Sequence, residues 1–283
     1  MSKKAPKLSI ITVCYNNCEG LRKTMESVKT QTFKDYEYIV IDGGSTDGTV
    51  ELIKENAKFP FSCGEGLGER LIDYWISEKD SGIYNAMNKG IKAAKGEYCY
   101  FLNSDDYIAM PNTLEKIFEQ VKNNPDIIYG NLAIRKDNKL CYVSKFSKNI
   151  TPYSFYRHRL AIHHQASFIK RELFEKYGLY SDKAKLISDW IFFFETVILH
   201  KVQTQYVNRV FAVFLAGGES SVGISEKHIK NELIQTYFSQ EQIKKYAFKD
   251  KLFKVFRIRK AEKLLAKLFL LCALSNNQVS NKK

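Results

Sequence analysis

The chain has 283 residues, and its hydrophobic share of 45% and aromatic share of 13% exclude a disordered or low-complexity protein. The formal net charge is +13, but from Ser225 onward fourteen Lys and Arg residues stand against only five Asp and Glu residues. Because this basic excess lies at one end of the chain, we expect attachment to a surface rather than binding to nucleic acid.

Strands and helices are predicted to alternate from the start of the chain to Tyr107. The strand candidates, in chain order, are LSIITVCYN, YEYIVIDGG, RLIDYWISEKDSG and EYCYFLNSDD. The helix candidates between them are EGLRKTMESVKTQ, STDGTVELIKENA and GIYNAMNKGIKAAKG, the last with Gly96 at its C-terminal cap. This alternation predicts an α/β fold with a mostly parallel central sheet flanked by helices.

The pattern is looser after Tyr107. PNTLEKIFEQVKNN predicts a helix, DIIYGNLAI and LCYVSKF predict antiparallel strands, and VQTQYVNRVFAVFLAGGESS predicts a strand pair followed by a Gly-rich turn. We expect one domain made of two halves, residues 1–107 and residues 108–225. Residues 226–283 are then a tail that includes an amphipathic helix with a basic face.

Polar residues recur where successive predicted strands end, at Asn16, Asp42, Asp80 and the Asp105–Asp106 pair. Each of these residues alone is a common turn former. In a parallel sheet, however, the carboxyl ends of the strands share one edge, and ligands bind beyond that edge. Adjacent carboxylates suit a hard divalent cation shared with phosphate oxygens. Successive side chains of an extended chain point in opposite directions, so we expect different roles for Asp105 and Asp106.

Six segments together resemble the ordered motifs of the family 2 inverting glycosyltransferases. They are SIITVCYNN, YIVIDGGSTDGT, SEKDSGIYNAMNKGI, GEYCYFLNSDD, HHQASF and ISDWIFF, and the resemblance covers about residues 7–220. It implies a GT-A-type fold and an enzyme that transfers a hexosyl or N-acetylhexosaminyl group from a UDP-sugar. It also implies dependence on Mn²⁺ or Mg²⁺. In a catalytic domain of this family, residues 1–107 would be the nucleotide-sugar-binding half and residues 108–225 the acceptor-binding half.

The resemblance implies roles for residues of the first half. Tyr15 and Asn16 are expected to line the nucleoside pocket. Asp42 is expected to form a hydrogen bond with the uracil ring, and Asp80 to lie near the sugar and the nucleotide. The remaining expectations are Asn88 and Lys89 near the diphosphate, Asp105 on the ribose side and Asp106 as the direct metal ligand. Each of three residues also has a purely structural alternative. Tyr15 could pack in the core, Asp42 could form a turn, and Lys89 could lie on a solvent-exposed face of its helix.

An inverting transfer needs a base that removes the proton of the acceptor hydroxyl. The resemblance gives Asp189 this role, although SDW before an apolar run is also a good helix start in which Asp189 caps the helix. It places His164, Trp190, Gly217 and Gly218 near the acceptor or the sugar. Trp190 could equally belong to the core, and the two glycines to a simple turn.

These features indicate a glycosyltransferase of cell-surface polysaccharide biosynthesis, acting on a glycan or lipid-linked acceptor. The alternatives are a nucleotidyltransferase and a non-catalytic nucleotide-sugar-binding protein of the same fold. No CxxC pair, zinc-type spacing or apolar signal region is evident, so we expect a cytoplasmic protein at the inner face of the cell membrane. The tail either contacts anionic membrane as a peripheral anchor, packs on the catalytic domain or pairs two copies of the chain as a homodimer.

Overall fold

The structure is a computed structural model. It describes residues 4–57, 71–136, 139–144, 146, 148–157, 162–181, 184, 187–216 and 225–252. The chain divides into two compact units, Met1–Gly223 and Ile224–Lys283. No helix of the described residues is both long and apolar enough to cross a membrane.

The first unit is built on one sheet, which has nine strands within the described residues. The strands are β1 (Leu8–Cys14), β2 (Tyr36–Asp42), β3 (Tyr74–Ser77), β4 (Tyr98–Phe101), β5 (Tyr107–Ile108), β6 (Ile127–Lys136), β7 (Lys139–Ser144), β8 (Ser167–Lys170) and β9 (Thr204–Leu215). Their order is β3-β2-β1-β4-β8-β6-β9-β5, and β7 pairs with β6. The predicted α/β fold with a central sheet flanked by helices is confirmed.

The helices of this unit are α1 (Cys18–Lys29), α2 (Thr49–Asn56), α3 (Ile83–Ala93), α4 (Thr113–Phe118), α5 (Pro152–Tyr156), α6 (Arg171–Tyr177) and α7 (Ser188–Phe193). A 3₁₀ turn covers His164–Ala166, and a π-helical turn, Phe194–Leu199, continues α7. In the second unit, Ser225–Tyr237 forms α8, and residues 240–252 are helical.

Parallel pairing joins β1, β2, β3 and β4, as the alternating pattern predicts. All seven residues of β1 and all four of β4 are buried, as expected for strands covered on both faces. Full burial of each Leu or Ile side chain stabilises the fold by about 1.5–3 kcal/mol. Beyond β4 the sheet is mixed: β8 is antiparallel to β4 and β6, and β9 is parallel to β6.

Two expectations about local structure are wrong. The segment predicted as a strand pair is the single strand β9, which pairs with β6 through two register shifts instead of folding back on itself. Gly96 is not the cap of α3, because the helix ends at Ala93 with Ala94 as its cap. Gly96 instead lies against β1, where a Cβ atom would come within 2.6 Å of the Ser9 backbone nitrogen.

Candidate active site

The strands β1, β2 and β4 end side by side, and the chain that follows them forms what we call the carboxyl edge, residues 15–17, 42–45 and 103–106. Asn16 takes a left-handed conformation, with φ of 45°. Its backbone N–H donates to Ser45 Oγ at 2.7 Å, and its Oδ1 accepts from the Thr46 N–H at 2.9 Å. Tyr15, the residue before it, is 63% exposed on this edge. The structure therefore presents the Tyr15 ring to solvent, while Asn16 holds two loops together.

Asp42, the last residue of β2, is the fully buried carboxylate of the carboxyl edge. Its carboxylate accepts hydrogen bonds from the backbone N–H groups of Gly44 at 3.1 Å and Ser45 at 2.9 Å. It also accepts from the hydroxyl of Ser45 and, at 2.6 Å, from that of Ser77. Both carboxylate oxygens are thus used to shape the loop after β2. The structure gives Asp42 the turn-forming role and does not present its carboxylate as an open contact for a uracil ring.

Asp80 is half-buried in the loop just before α3. Its Oδ1 accepts from the N–H of Gly82, the residue that precedes the helix, at 2.9 Å. Its Oδ2 points at Gly43 of the carboxyl edge, because a Cβ atom on Gly43 would lie 2.8 Å from that oxygen. Asp80 therefore borders the edge, as expected. Lys89 lies on α3, and its Nζ forms an ion pair with Glu78 Oε1 at 2.8 Å.

Asn88 was expected near the diphosphate, and the structure gives its side chain another role. The side chain is buried, its Nδ2 donates to the Tyr180 carbonyl at 2.8 Å, and its Oδ1 accepts from the Tyr180 N–H at 3.0 Å. Both polar atoms therefore satisfy backbone groups of the second half of the domain. The physical reason is burial, since a backbone N–H and C=O away from water need partners.

Asp105 and Asp106 have different surroundings, as expected, but the reason is a turn after β4 and not the alternation of an extended strand. Asp105 is 30% exposed, with a left-handed φ of 77°. Its Oδ2 accepts from Asn17 Nδ2 at 2.8 Å, and its Oδ1 lies 3.6 Å from Lys23 Nζ. Because Asn17 also caps α1 through the Gly20 N–H at 3.1 Å, the first loop and the acid pair are held together.

Asp106 is the carboxylate of this edge that best suits a divalent cation. It is 4% exposed and takes part in none of the ion pairs among the described residues. Desolvation raises its pKa to about 7, although the charge of His164 and a hydrogen bond from the Leu215 N–H act in the opposite direction. A buried carboxylate that has no ion-pair partner is stabilised in its charged form by a cation.

A second oxygen beside Asp106 supports the same fit. Oδ1 of Asn103 is buried and has no hydrogen-bond partner among the described residues. Within the described part of the chain, no group of three or more His, Cys, Asp or Glu side chains could enclose a metal. Mn²⁺ or Mg²⁺ at a phosphate site needs only one or two protein carboxylates, because phosphate and water complete its ligands. The residues present fit that type of site.

Asp189 and His164 form a hydrogen-bonded pair next to this edge. His164 Nδ1 lies 2.8 Å from Asp189 Oδ2, and the two side chains are 10% and 15% exposed. Asp189 Oδ1 accepts from the Tyr84 hydroxyl at 2.7 Å and from the Trp190 N–H at 2.9 Å. Burial opposes ionisation of Asp189, but the bonds from His164 and Tyr84 outweigh it and lower the pKa to about 2. Asp189 is therefore a firmly ionised carboxylate.

The other side of the His164 ring faces the carboxyl edge. Its Nε2 lies 3.3 Å from Asn103 Nδ2, on the residue whose carbonyl accepts from the Asp106 N–H at 3.0 Å. A continuous chain of contacts thus runs from Asp106 through Asn103 and His164 to Asp189. The structure brings the expected metal ligand and the expected base together, although 83 residues separate them in sequence.

Trp190 was expected near a sugar, but it belongs to the core. It is 6% exposed and packs parallel to Phe194 at 5.3 Å and edge-on to Phe155 at 5.5 Å. This aromatic packing removes the indole faces from any sugar. The expected residues Gly217 and Gly218 lie outside the described residues.

Sequence reasoning missed Tyr84, Asn103 and Asn17 as parts of the site. Tyr84 lies on the buried face of α3, where apolar spacing indicates only a core residue. A signal was nonetheless present, because a buried tyrosine hydroxyl requires a hydrogen-bond partner. Asn17 and Asn103 each follow a strand within a recognised motif, but their type is equally typical of turns.

Comparison with known proteins identifies the family. The Glycosyl transferase family 2 profile matches residues 9–178. A protein of Mycobacterium bovis named PGL/p-HBAD biosynthesis glycosyltransferase is 31% identical over 229 residues, covering 80% of this chain and 84% of that protein. An uncharacterized glycosyltransferase of Mycobacterium tuberculosis is 33% identical over 180 residues, covering 62% of this chain and 63% of that protein.

Solved structures show the same fold at low sequence identity. S. aureus TarS 1-349 in complex with UDP-GlcNAc has a TM-score of 0.56 and 17% identity, covering 76% of this chain and 61% of that chain. Mannosyltransferase PcManGT from Pyrobaculum calidifontis, in complex with GDP-Man and Mn²⁺, has a TM-score of 0.54 and 16% identity, covering 81% and 61%. The chain spans about three fifths of the length of these solved chains. Taken with the carboxyl edge and the profile match, these likenesses show that the chain belongs to glycosyl transferase family 2, as a glycosyltransferase with a GT-A fold.

Proposed function

We propose that the protein transfers one sugar, hexosyl or N-acetylhexosaminyl, from a UDP-sugar to a hydroxyl of a glycan or lipid-linked acceptor, with inversion at the anomeric carbon. One observation carries this proposal. The chain of contacts from Asp106 through Asn103 and His164 to Asp189 supports a cation-binding role for the first carboxylate and a proton-accepting role for the Asp189–His164 pair. An inverting transfer needs both groups, one for the leaving diphosphate and one for the attacking hydroxyl.

The residues of the carboxyl edge have separate tasks in this proposal. The exposed Tyr15 ring offers a surface for the nucleoside base, and Asp105, held by Asn17, faces the ribose. Asp106 would hold the Mn²⁺ or Mg²⁺ ion, which when bound neutralises charge on the departing diphosphate. The Asp189–His164 pair takes the proton of the acceptor hydroxyl. Asp42 and Asn16 keep the loops in register beneath the ligand.

The solved relatives support a nucleotide-sugar donor, because TarS was obtained with UDP-GlcNAc and PcManGT with GDP-Man and Mn²⁺. The Mycobacterium bovis relative carries the word biosynthesis in its name, which supports a synthetic role such as cell-surface polysaccharide formation. The basic excess after Ser225 supports peripheral contact with anionic lipid at the cytoplasmic face of the membrane.

The test is a donor panel with water as the acceptor. We expect release of UDP from at least one of UDP-glucose, UDP-galactose and UDP-GlcNAc in the presence of Mn²⁺, and the released sugar should first appear in the β configuration. Asp106→Ala should lose this turnover, because the other carboxylates of the carboxyl edge, Asp105 and Asp42, already accept hydrogen bonds at 2.8 Å and 2.9 Å, which are shorter than the 3.4 Å contact of Asp106. GDP-mannose serves as the comparison donor.

Three results would count against the proposal. Turnover of GDP-mannose alone would refute the UDP specificity, and an initial α product would refute inversion. Full turnover by Asp106→Ala would refute the role of Asp106 as the metal ligand.

A further inference from the structure

We propose that Tyr84 is a positioning residue for the base of the transfer. Its hydroxyl holds Oδ1 of Asp189, so that Oδ2 of the same carboxylate receives the proton of the attacking hydroxyl. The inference rests on the proposed glycosyl transfer, in which Asp189 takes that proton, and it assigns a task to each of the two carboxylate oxygens.

The two oxygens of the Asp189 carboxylate differ in how many donors they already hold. Oδ1 accepts from the Tyr84 hydroxyl at 2.7 Å and from the Trp190 N–H at 2.9 Å. Among the described residues, Oδ2 has one partner, His164 Nδ1 at 2.8 Å. Each carboxylate oxygen offers two lone pairs for hydrogen bonds. Both lone pairs of Oδ1 are therefore occupied, and one lone pair of Oδ2 is left for a substrate hydroxyl.

Oδ2 is also the oxygen that faces the carboxyl edge. It contacts the His164 ring, and the other nitrogen of that ring lies 3.3 Å from Nδ2 of Asn103, a residue of the edge. Oδ1 instead faces α3, because Tyr84 is the second residue of that helix. The oxygen with the available lone pair is thus directed to the place where the donor sugar and the acceptor are expected.

The Tyr84 side chain is itself held in one place. It is 5% exposed, and the centre of its ring lies 5.4 Å from that of Tyr180. Its helix begins after Gly82, whose N–H donates to Asp80 at 2.9 Å beside the carboxyl edge. Burial raises the pKa of Tyr84 well above its ordinary value, so the hydroxyl keeps its proton and stays a donor. A fixed donor restricts the Asp189 carboxylate to one orientation.

The step balances without any further reactant. A lone pair of the hydroxyl oxygen forms the bond to the anomeric carbon, and the bond from that carbon to the diphosphate oxygen breaks, with its electrons leaving on the diphosphate. The attacking oxygen gains positive charge as the new bond forms, so its proton becomes strongly acidic. That proton passes to Oδ2 of Asp189, and the neutral carboxyl group later releases it to water. Because an ionised carboxylate accepts so acidic a proton readily, the orientation of its lone pair matters more than its basicity.

The experiment compares Tyr84→Phe with wild type in steady-state, Mn²⁺-dependent UDP release from the UDP-sugar that the wild type turns over. We expect kcat to fall by about 10–100-fold, because a hydrogen bond to a charged group is lost and the carboxylate is no longer held in one orientation. The KM for the donor and the UDP affinity measured by calorimetry should stay at the wild-type values. A merely structural role of Tyr84 would not separate kcat from KM in this way.

Tyr180→Phe is the matched control. The Tyr180 ring packs against that of Tyr84 and is equally buried, but its hydroxyl has no hydrogen-bond partner among the described residues. This variant loses the same atom and should keep the wild-type kcat. Tyr84→4-aminophenylalanine retains a donor at the end of the ring, and we expect it to have most of the wild-type kcat. It also decides the question if Tyr84→Phe does not fold.

Three results would overturn this inference: wild-type kcat in Tyr84→Phe, an equal loss in Tyr180→Phe, or no recovery with 4-aminophenylalanine. Glycosyl transfer with Asp189 as the base would survive each of them, provided that Asp189→Asn is inactive in the same assay. Full turnover by Asp189→Asn would reject Asp189 as the base. Absence of turnover by the wild type with every donor would reject the proposed function itself, and this inference with it.

Discussion

Two buried carboxylates, Asp106 of the carboxyl edge and Asp189 beside it, have pKa values that are shifted in opposite directions. Asp189 is buried with three hydrogen bonds, so its pKa falls to about 2, whereas Asp106 is buried with a weak backbone contact of 3.4 Å and its pKa rises to about 7. Two carboxylates near the same edge are therefore prepared for opposite tasks. One is an ionised carboxylate that can accept the proton of a hydroxyl, and the other is a site that holds a proton until a cation replaces it.

The pKa of Asp106 predicts how metal binding depends on pH. Between its ordinary value of 3.8 and about 7, the folded metal-free protein keeps a proton that the unfolded chain releases. The contribution of this group to stability is thus present below the unfolded value and lost as pH rises through the folded value. A cation must displace that proton, so we expect Mn²⁺ to raise the unfolding temperature more at about pH 8 than at about pH 6.

Asp106→Asn should show little Mn²⁺-dependent shift at either pH. Asp35→Asn is the charge-matched control, because Asp35 is exposed just before β2, at the opposite edge of the sheet, and should behave as wild type. The measurement is differential scanning fluorimetry with and without Mn²⁺. Equal shifts at both pH values, or an undiminished shift in Asp106→Asn, would contradict the assignment.

Among the elements, α3 connects the first strands of the sheet with the later segments around Tyr180 and Asp189. Its buried face carries apolar side chains toward β1 and β2, but it also carries Tyr84 and Asn88, whose polar atoms reach across to Asp189 and Tyr180. Helical spacing predicts which residues of α3 are buried. The partners of the buried polar atoms depend on α7 and on the segment around Tyr180, which packing brings to the helix.

The role of Asn88 can be tested separately from substrate binding. Asn88→Ala leaves the Tyr180 N–H and C=O without their side-chain partner, and we expect a loss of about 1–3 kcal/mol in the free energy of unfolding. UDP affinity should stay at the wild-type value, since among the described residues the side chain bonds only to the backbone of Tyr180. Lys92→Ala, at an exposed position of the same helix, is the control. If Asn88→Ala kept its stability but bound UDP more weakly, the result would support a role of Asn88 at the diphosphate.

At the scale of the whole molecule, the chain combines a sheet-based unit with a second unit that begins at Ile224. The amphipathic helix with a basic face is a prediction for residues 250–267, most of which lie outside the described residues. Residues 250–283 contain nine Lys and Arg and two Asp and Glu. Near an anionic membrane, each basic residue adds about 1 kcal/mol of attraction.

Deletion of residues 250–283 should therefore reduce co-sedimentation with vesicles that contain phosphatidylserine. Vesicles of phosphatidylcholine alone are the matched control and should bind neither form strongly. The wild-type binding should also weaken with added salt, because the attraction is electrostatic. If the deletion leaves co-sedimentation unchanged, the tail packs on protein instead of lipid.

The sequence by itself determined the features that depend on local order along the chain. Alternating apolar runs gave the four parallel strands, α1 and α3, and the motif series placed Asp42, Asp80, Asp105 and Asp106 near one edge. Both kinds of signal are short-range, since a strand end and the residue after it are neighbours in sequence as well as in space.

Only the tertiary structure decided which polar atoms are already paired. It showed that Asn88 and Asp42 satisfy buried backbone and hydroxyl groups, that Trp190 packs with Phe194, and that β9 is one strand. The Asp189–His164–Asn103 contacts join segments 25 and 61 residues apart. Hydrogen-bond capacity is a property of three-dimensional neighbours, so a motif can locate a carboxylate but cannot show whether its lone pairs remain available.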